Sequence, residues 1–477
     1  MAKQNSITAS MIWKTLERYA VLGSQMLVQI VIARLVTPKE YGVVSMMTVF
    51  ISIATVFIQN GFNMALVQKK DATEKDAATA FSINLLIGIG LYLVLFFASP
   101  AIANFYHEEQ ITSSLRVLGL ILIIGSVNSI QVAVATRNMK FDTLFAGNIA
   151  GSVVSGIIGI GCAFLGMGVW ALVIQQLMNK VVVTLVLTFM MKWKPVLTLD
   201  KISAKSMFSY GWKLLAASMI NQIYNELNNL VIGRKYTSGD LAFYNKGKQF
   251  PYYVTTGIDG SIQSVMFSAF SKKQTDLSAL QTMLRKSISV NTYIIFPLMA
   301  GMALIAEPLT VFLLTEKWLP IVPYLQICCL KYALHPIESA HLQAVAAIGR
   351  SDVRLKLEFI KKPVGIILLI LAVPYGPFAV AMSAIITGII GFFVNVIASR
   401  IYVRISFGDQ IKDLIPPVVL TALMGVVVYF VSLFDMHYML TLVLQVIAGM
   451  IVYILASALL KPEGFKYIFG LIKKIKR

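Results

Sequence analysis

Residues 77–99 read AATAFSINLLIGIGLYLVLFFAS, twenty-three positions without an Asp, Glu, Lys or Arg. At about 1.5 Å of rise per residue this run makes a helix of roughly 35 Å, and the hydrocarbon core of a bilayer is about 30 Å thick. A helix apolar on every side has no aqueous face, so its place is in lipid. Working outward in both directions, comparable runs follow one another along all 477 residues. The chain is 57% hydrophobic and 13% charged, with a mean hydropathy of +0.77. A soluble protein is about 25% charged, so that class is excluded. The fold class expected is an all-α polytopic membrane protein.

Apolar runs bounded by charge and turn signals predict fourteen helices, at 10–36, 41–67, 77–99, 113–136, 142–165, 168–191, 207–233, 241–267, 287–314, 321–347, 358–374, 377–399, 415–434 and 439–460. Residues 1–19 have no clean apolar stretch followed by a small-residue cleavage site, so the first helix is expected to remain in the mature protein. The 41 Lys and Arg against 22 Asp and Glu give a net charge of +19. In a soluble chain that surplus raises the question of nucleic acid. Here it is concentrated in alternate loops: 28 basic residues lie on the side of the N-terminus and five on the other. The positive-inside rule then puts both termini in the cytoplasm, and the basic loops lie where anionic lipid headgroups are. No nucleic-acid partner is expected. The outer loops are short, with no room for a catalytic domain.

Self-comparison shows a repeat at an offset near 200 residues. Trp13-Lys14 recurs as Trp212-Lys213, and Ile32, Ala33, Arg34, Thr37 and Glu40 recur as Ile232, Gly233, Arg234, Thr237 and Asp240. The expected organisation is a six-helix bundle over 1–200, a second over 201–413, two added helices over 414–460 and a basic cytoplasmic tail over 461–477. The repeated turn explains itself: Thr37 suits an N-cap, Pro38 the first helical position, and Glu40 the N3 position of a capping box.

Polar residues fall where lipid should be. A charge at the bilayer centre costs about 2.5–3.5 kcal/mol on insertion scales, so one that persists needs a partner, water or a function. In the first helix Lys14, Arg18, Gln25 and Gln29 share a narrow sector at 100° per residue, flanked by Glu17. The seventh carries Lys213, Asn221, Tyr224, Asn225 and Asn228 on one side, with Glu226 turned toward another, and the eighth adds Lys246, Lys248 and Asp259. Lys14, Arg18 and Lys213 lie near helix ends, where snorkelling to headgroups also accounts for them. The deeper amides fit either interhelical hydrogen bonding or a shared aqueous cavity. In the tenth helix Lys331, His335 and Glu338 follow i, i+4, i+7 spacing, which reads either as a structural Lys331–Glu338 pair or as a proton-linked or substrate-binding site.

Several chemistries find no support. Cys162, Cys328 and Cys329 sit in apolar segments without CxxC spacing, and His335 and His341 have no cysteine ligand nearby, so no metal and no cofactor are expected. GxxxxGK[ST], GxSxG, HExxH and GxGxxG are absent from the sequence. Transport is what remains.

Residues 33–42 (ARLVTPKEYG) and 59–70 (QNGFNMALVQKK) resemble the opening of the polysaccharide transporter (Wzx-type) family of the multidrug/oligosaccharidyl-lipid/polysaccharide flippase superfamily. Residues 168–172 (GVWAL), 193–195 (WKP), 232–234 (IGR), 318–320 (WLP) and 349–352 (GRSD) look like its colanic and teichuronic acid exporter branch. The second-half turn departs from the family pattern, with Leu241-Ala242-Phe243-Tyr244 in place of a Gly-Tyr pair. The resemblance implies two bundles around a central cavity, alternating access, and a polyprenyl-pyrophosphate-linked oligosaccharide as cargo. It also implies the bacterial inner membrane as location, and a polysaccharide polymerase and export machinery as further partners. Cationic side chains suit the pyrophosphate, and amides the sugar hydroxyls. Glu17, Glu226, Asp259, Lys331, His335 and Glu338 are the candidates for ion coupling. A cation-coupled multidrug antiporter is the alternative within the superfamily, and a cationic cavity argues against cationic cargo. An integral-membrane polymerase or ligase shares the composition, yet the large external loop usual in such enzymes is missing.

Overall fold

The computed structural model describes residues 20–60, 62–69, 72–192, 196–272, 276–434 and 436–475. Among them the regular structure is helical: α1 (Ala20–Leu35), then α2 (Pro38–Asn60), α3 (Phe62–Gln68), α4 (Glu74–Tyr106), α5 (Gln110–Leu118), α6 (Leu120–Arg137), α7 (Phe141–Phe164), α8 (Val169–Met191), α9 (Lys201–Lys235), α10 (Ser238–Lys272), α11 (Leu277–Leu304), α12 (Ala306–Leu314), α13 (Val322–Ala347), α14 (Ser351–Ala372), α15 (Pro377–Tyr402), α16 (Phe407–Ser432), α17 (Tyr438–Leu460) and α18 (Glu463–Ile475). Nine segments of the described residues are long and apolar enough to cross a membrane: α2 with α3, α4, α5 with α6, α7, α8, α11, α15, α16 and α17. The chain is a multi-pass membrane protein. The helices α9, α10, α13 and α14 carry many of the polar and charged residues singled out from the sequence.

The chain divides into two compact units, Met1–Ala242 and Phe243–Arg477, so the break falls within α10. The sequence reading set the boundary between its two six-helix bundles at 200/201. In the first unit α7 packs on α8, α4 on α6 and α2 on α9; in the second α13 packs on α11 and α15, α14 on α15, and α16 on α11 and α17.

The repeated turn is reproduced bond for bond. Val36 N–H donates to the Ile32 carbonyl at 2.9 Å, and Tyr236 N–H to the Ile232 carbonyl at 3.0 Å. Thr37 N–H donates to Glu40 Oε2 at 2.7 Å while Glu40 N–H donates back to Thr37 Oγ1 at 3.4 Å. Thr237 and Asp240 repeat the exchange at 3.1 Å in each direction. The two helix starts also touch within the first unit, where a Cβ on Gly42 would fall 1.7 Å from the Ser238 carbonyl oxygen. Only glycine permits that approach.

Without a hydrophobic drive between helices in lipid, small residues let backbones approach and dispersion hold them. The buried face of α7 starts with Thr143 and Leu144 and continues with small residues only: Gly147, Gly151, Ser152, Ser155, Gly156, Gly159 and Ala163. A Cβ on Gly151 would fall 2.4 Å from Val183 Cγ2, and one on Gly159 2.6 Å from Gln175 Cβ. On α4, Leu86, Val94 and Phe97 point outward.

Three helices begin at least seven residues earlier than hydropathy predicts, and one was not predicted. α11 starts at Leu277 rather than 287, and α16 at Phe407 rather than 415. The charges that hid these first turns pair with one another: Arg285 grips Asp413 with Nε–Oδ2 and Nη2–Oδ1 both at 2.8 Å. α14 starts at Ser351 rather than 358, its first turns held by Arg350–Asp352 at 2.9 Å and Lys356–Asp352 at 3.6 Å. The tail expected over 461–477 contains α18, whose Phe465 stacks on Phe469 at 5.8 Å and meets Tyr293 of α11. Its apolar residues recur at helical spacing among lysines, a pattern that net basicity conceals.

Gly151→Leu is expected to overpack the α7–α8 contact at a cost of roughly 1–3 kcal/mol. Leu86→Ala, on a side chain 60% exposed toward lipid, should leave stability nearly unchanged. Thermal unfolding of the two variants in one detergent checks the difference; equal midpoints would mean that the close contact is not what holds this helix pair.

Candidate functional site

In the first unit the polar chemistry of α9 centres on Glu226. Its Oε1 accepts from Ser52 Oγ of α2 and from Gln222 Nε2, each at 2.9 Å, and its Oε2 accepts from Asn229 Nδ2 at 2.7 Å. All three donors are neutral, and among the described residues no cationic side chain pairs with this carboxylate. Hydrogen bonds to a charged acceptor contribute more than neutral ones, which lets three of them offset much of the desolvation. On α1, Gln29 Oε1 accepts the Tyr41 hydroxyl at 3.0 Å, and Gln25 is half-buried. Lys213, Asn221 and Asn225 are exposed on α9, while Tyr224 and Asn228 are half-buried. Lys14, Glu17 and Arg18 lie outside the described residues.

The second unit gathers charge between α10, α13, α14 and α15. Asp259 is buried at 4% exposure, accepts from Gln263 Nε2 at 2.9 Å and faces His335 Nδ1 at 3.6 Å. Thr255 of α10 donates to the Tyr332 carbonyl at 3.5 Å, and the Tyr252 and Tyr332 rings meet at 5.8 Å, which fixes α10 against α13. Lys246 is buried at 5% exposure and Lys248 is half-buried.

The direct Lys331–Glu338 pair considered from the sequence does not form. Those residues are seven apart on one helix, about 10.5 Å along its axis, and each turns to a neighbour on α15. The Lys331 stem lies over Gly388, where a Cβ would be 3.6 Å from Lys331 Cγ. Glu338 reaches Gly391, where a Cβ would be 3.0 Å from Glu338 Oε1 and 3.4 Å from Lys361 Cδ. Lys361 itself donates to Asn395 Oδ1 at 3.5 Å and pairs with Glu358 at 2.9 Å. The histidine of the i, i+4, i+7 triplet therefore finds its anion on another helix, and the glutamate approaches a lysine from a third.

Sequence reasoning passed over Ser52, whose hydroxyl reads as an ordinary helix-lining group until the fold brings it to Glu226. It also passed over Lys180, although a lone cation midway along the apolar run 168–191 is a visible signal. Among the described residues no cluster of three or more His, Cys, Asp or Glu side chains could hold a metal ion.

Residues 31–323, more than half of the chain, match the model of a family described as polysaccharide biosynthesis protein. The chain belongs to this family. That match spans both motifs that carried the resemblance, at 33–42 and 59–70, and bears it out. Within the curated polysaccharide biosynthesis proteins, the chain is 25% identical over 423 residues to the teichuronic acid biosynthesis protein TuaB of Bacillus subtilis (strain 168), covering 86% of each chain. It is 23% identical over 355 residues to the lipopolysaccharide biosynthesis protein WzxC of Escherichia coli (strain K12), covering 73% of this chain and 71% of that one. Among solved structures it superposes on the lipid II flippase MurJ in an inward closed conformation with a TM-score of 0.75 at 19% identity, over 95% of this chain and 98% of that one. An inward-facing multidrug resistance MATE transporter of the MOP superfamily gives a TM-score of 0.64 at 15% identity, over 82% and 98%. This family member therefore has the MurJ- and MATE-like fold.

The polar side of α9 yields a direct expectation. In a background without Cys162, Cys328 and Cys329, single cysteines at Asn221 and Asn225 should react with a charged, water-soluble thiol reagent, whereas one at Ile220 should be protected by lipid. Equal protection at all three positions would assign the amides to contacts between helices rather than to an aqueous face.

Proposed function

We propose that this chain is a flippase, moving polyprenyl-pyrophosphate-linked oligosaccharide from the inner to the outer leaflet of a bacterial cytoplasmic membrane by alternating access. The observation that carries the reading is the concentration of hydrogen-bonding and charged side chains on α9, α10, α13 and α14 of a chain that has nine apolar segments able to cross a membrane among its described residues. Intramembrane polarity of that extent marks a solute pathway, and the MurJ-like fold, with relatives named for surface polysaccharides, points to the class of solute. The prenyl tail stays in lipid while the pyrophosphate meets Lys14, Arg18, Lys213, Lys246 and Lys248. The sugars meet Gln25, Gln29, Asn221, Tyr224, Asn225 and Asn228. Glu226, with its three neutral donors, and the Asp259–His335 pair are the coupling groups, since each can exchange a proton or cation without dismantling a structural salt bridge. Glu17, Lys331 and Glu338 are secondary coupling candidates.

The two-bundle organisation at 1–200 and 201–413, the added helices and cytoplasmic termini belong to the same proposal. The work is transport rather than catalysis, and the partners are the lipid-linked glycan, membrane lipids and a polymerase with its export machinery. The MATE-like fold keeps a cation-coupled antiporter as the second reading, which the basic character of the polar residues disfavours.

Deletion of the gene should trap lipid-linked precursor on the cytoplasmic face and abolish surface polysaccharide. Glu226→Gln and Asp259→Asn, at normal expression, should each lower export at least tenfold. Precursor distributed equally over both leaflets in the deletion would overturn the flippase reading, and normal export by both variants would remove these carboxylates from coupling.

A further inference from the structure

The first unit contains a cavity of about 370 Å³ between α2, α3, α6 and α8, a volume within the range of small-molecule sites. Its polar lining includes Thr55, Asn60, Asn63, Asn128, Ser129 and Lys180, and no carboxylate lines it. Part of this wall is fixed by its own hydrogen bonds. Asn63 Nδ2 donates to the Ile58 carbonyl at 3.0 Å, and Asn84 Nδ2 donates to Asn63 Oδ1 at 2.8 Å and to Ser129 Oγ at 3.2 Å. One buried donor is left over, beside a half-buried lysine. Asn128 is 7% exposed and its Nδ2 has no partner. The Lys180 ammonium forms no ion pair with any described residue.

A buried amide N–H without an acceptor is unfavourable, and a half-buried ammonium without a counter-ion attracts anions, so the arrangement suits a ligand that supplies both an acceptor and a negative charge. A carboxylate brings both, a single charge and two acceptor oxygens, to a cavity that Lys180 and Asn128 line together. A pyrophosphate brings more negative charge than one ammonium balances. Ile58, Met64 and Val132 add apolar wall against which the C–H face of a pyranose packs.

We propose that this cavity is a subsite for one acidic sugar of the transported glycan, a uronate-type pyranose, held by Lys180 and Asn128. The proposal rests on the flippase reading for its biological sense, while binding itself is measurable without transport.

The test is ligand-observed NMR on the purified full-length protein in detergent, with sodium glucuronate, glucose and inorganic pyrophosphate as probes at matched ionic strength. Glucuronate should bind at least fivefold more tightly than glucose. Lys180→Met should weaken glucuronate at least tenfold without changing glucose, and Lys180→Arg should stay within threefold of the original chain. Asn128→Asp, which sets a competing carboxylate in the wall, should weaken glucuronate at least fivefold and keeps the test decisive if Lys180→Met does not fold. Equal affinity for both sugars, indifference of glucuronate to the Lys180 and Asn128 substitutions, or a Lys180-dependent preference for pyrophosphate would each overturn the subsite. If glucuronate binds as stated while deletion leaves the precursor evenly distributed, the site stands and the flippase reading falls. If deletion traps precursor while glucuronate ignores Lys180, the site alone falls.

Discussion

Hydrocarbon offers no hydrogen bonds, and that single constraint orders the structure. A backbone N–H or C=O left unpaired in the bilayer core costs several kcal/mol, so the spanning elements are helices that satisfy themselves. The same penalty acts on side chains, and here its consequence can be followed residue by residue. Glu226 is surrounded by Ser52, Gln222 and Asn229; Asp259 is met by Gln263 and His335; Arg285 grips Asp413. The first two carboxylates are held by groups that are neutral or can become so, the third by a permanent cation. The third pair fixes α11 and α16 together.

The constraint also accounts for the inversion of size across the helices. In water, large apolar side chains drive packing inward; in lipid they gain nothing by it, and contact area between backbones decides. Hence beyond Leu144 the buried face of α7 is a file of glycine, serine and alanine, and α4 buries Asn84, Gly88 and Ser99 alongside Phe81 and Leu95 while Leu86 and Phe97 face out. The small buried residues do not make a loose interior, because Val183 and Gln175 of α8 fill the space a Cβ would need.

Hydropathy made most helices legible because the cost of burying charge in lipid is large against every competing effect. The repeated turn was legible for a different reason: Thr37 with Glu40, and Thr237 with Asp240, form a capping box from local spacing alone, and the bonds found are the ones that spacing implies. What the sequence concealed depends on partners far along the chain. The first turns of α11 and α16 carry charges that look like loop until Arg285 and Asp413 are seen to cancel each other across 128 positions. Of the two readings of the Lys331, His335 and Glu338 spacing, the direct Lys331–Glu338 pair is not the one that forms, since helical periodicity reports which side chains share a face but not what stands opposite. His335 and Glu338 share that face and answer to Asp259 on α10 and Lys361 on α14.

Charge balance inside each unit carries the argument one step further. In the first unit Glu226 is compensated by dipoles, and Lys180 of the same unit has no described counter-ion; evolution could have set the two together and did not. In the second unit Asp259 takes the histidine, while Lys331 forms no ion pair among the described residues. A chain selected only for stability has no reason to keep a lysine ammonium apart from carboxylates in the same membrane-embedded unit, because pairing them, or replacing both with apolar residues, lowers the free energy. A chain that must receive an anion and let it go has such a reason: the cation has to be available to the cargo, and an internal carboxylate would compete for it.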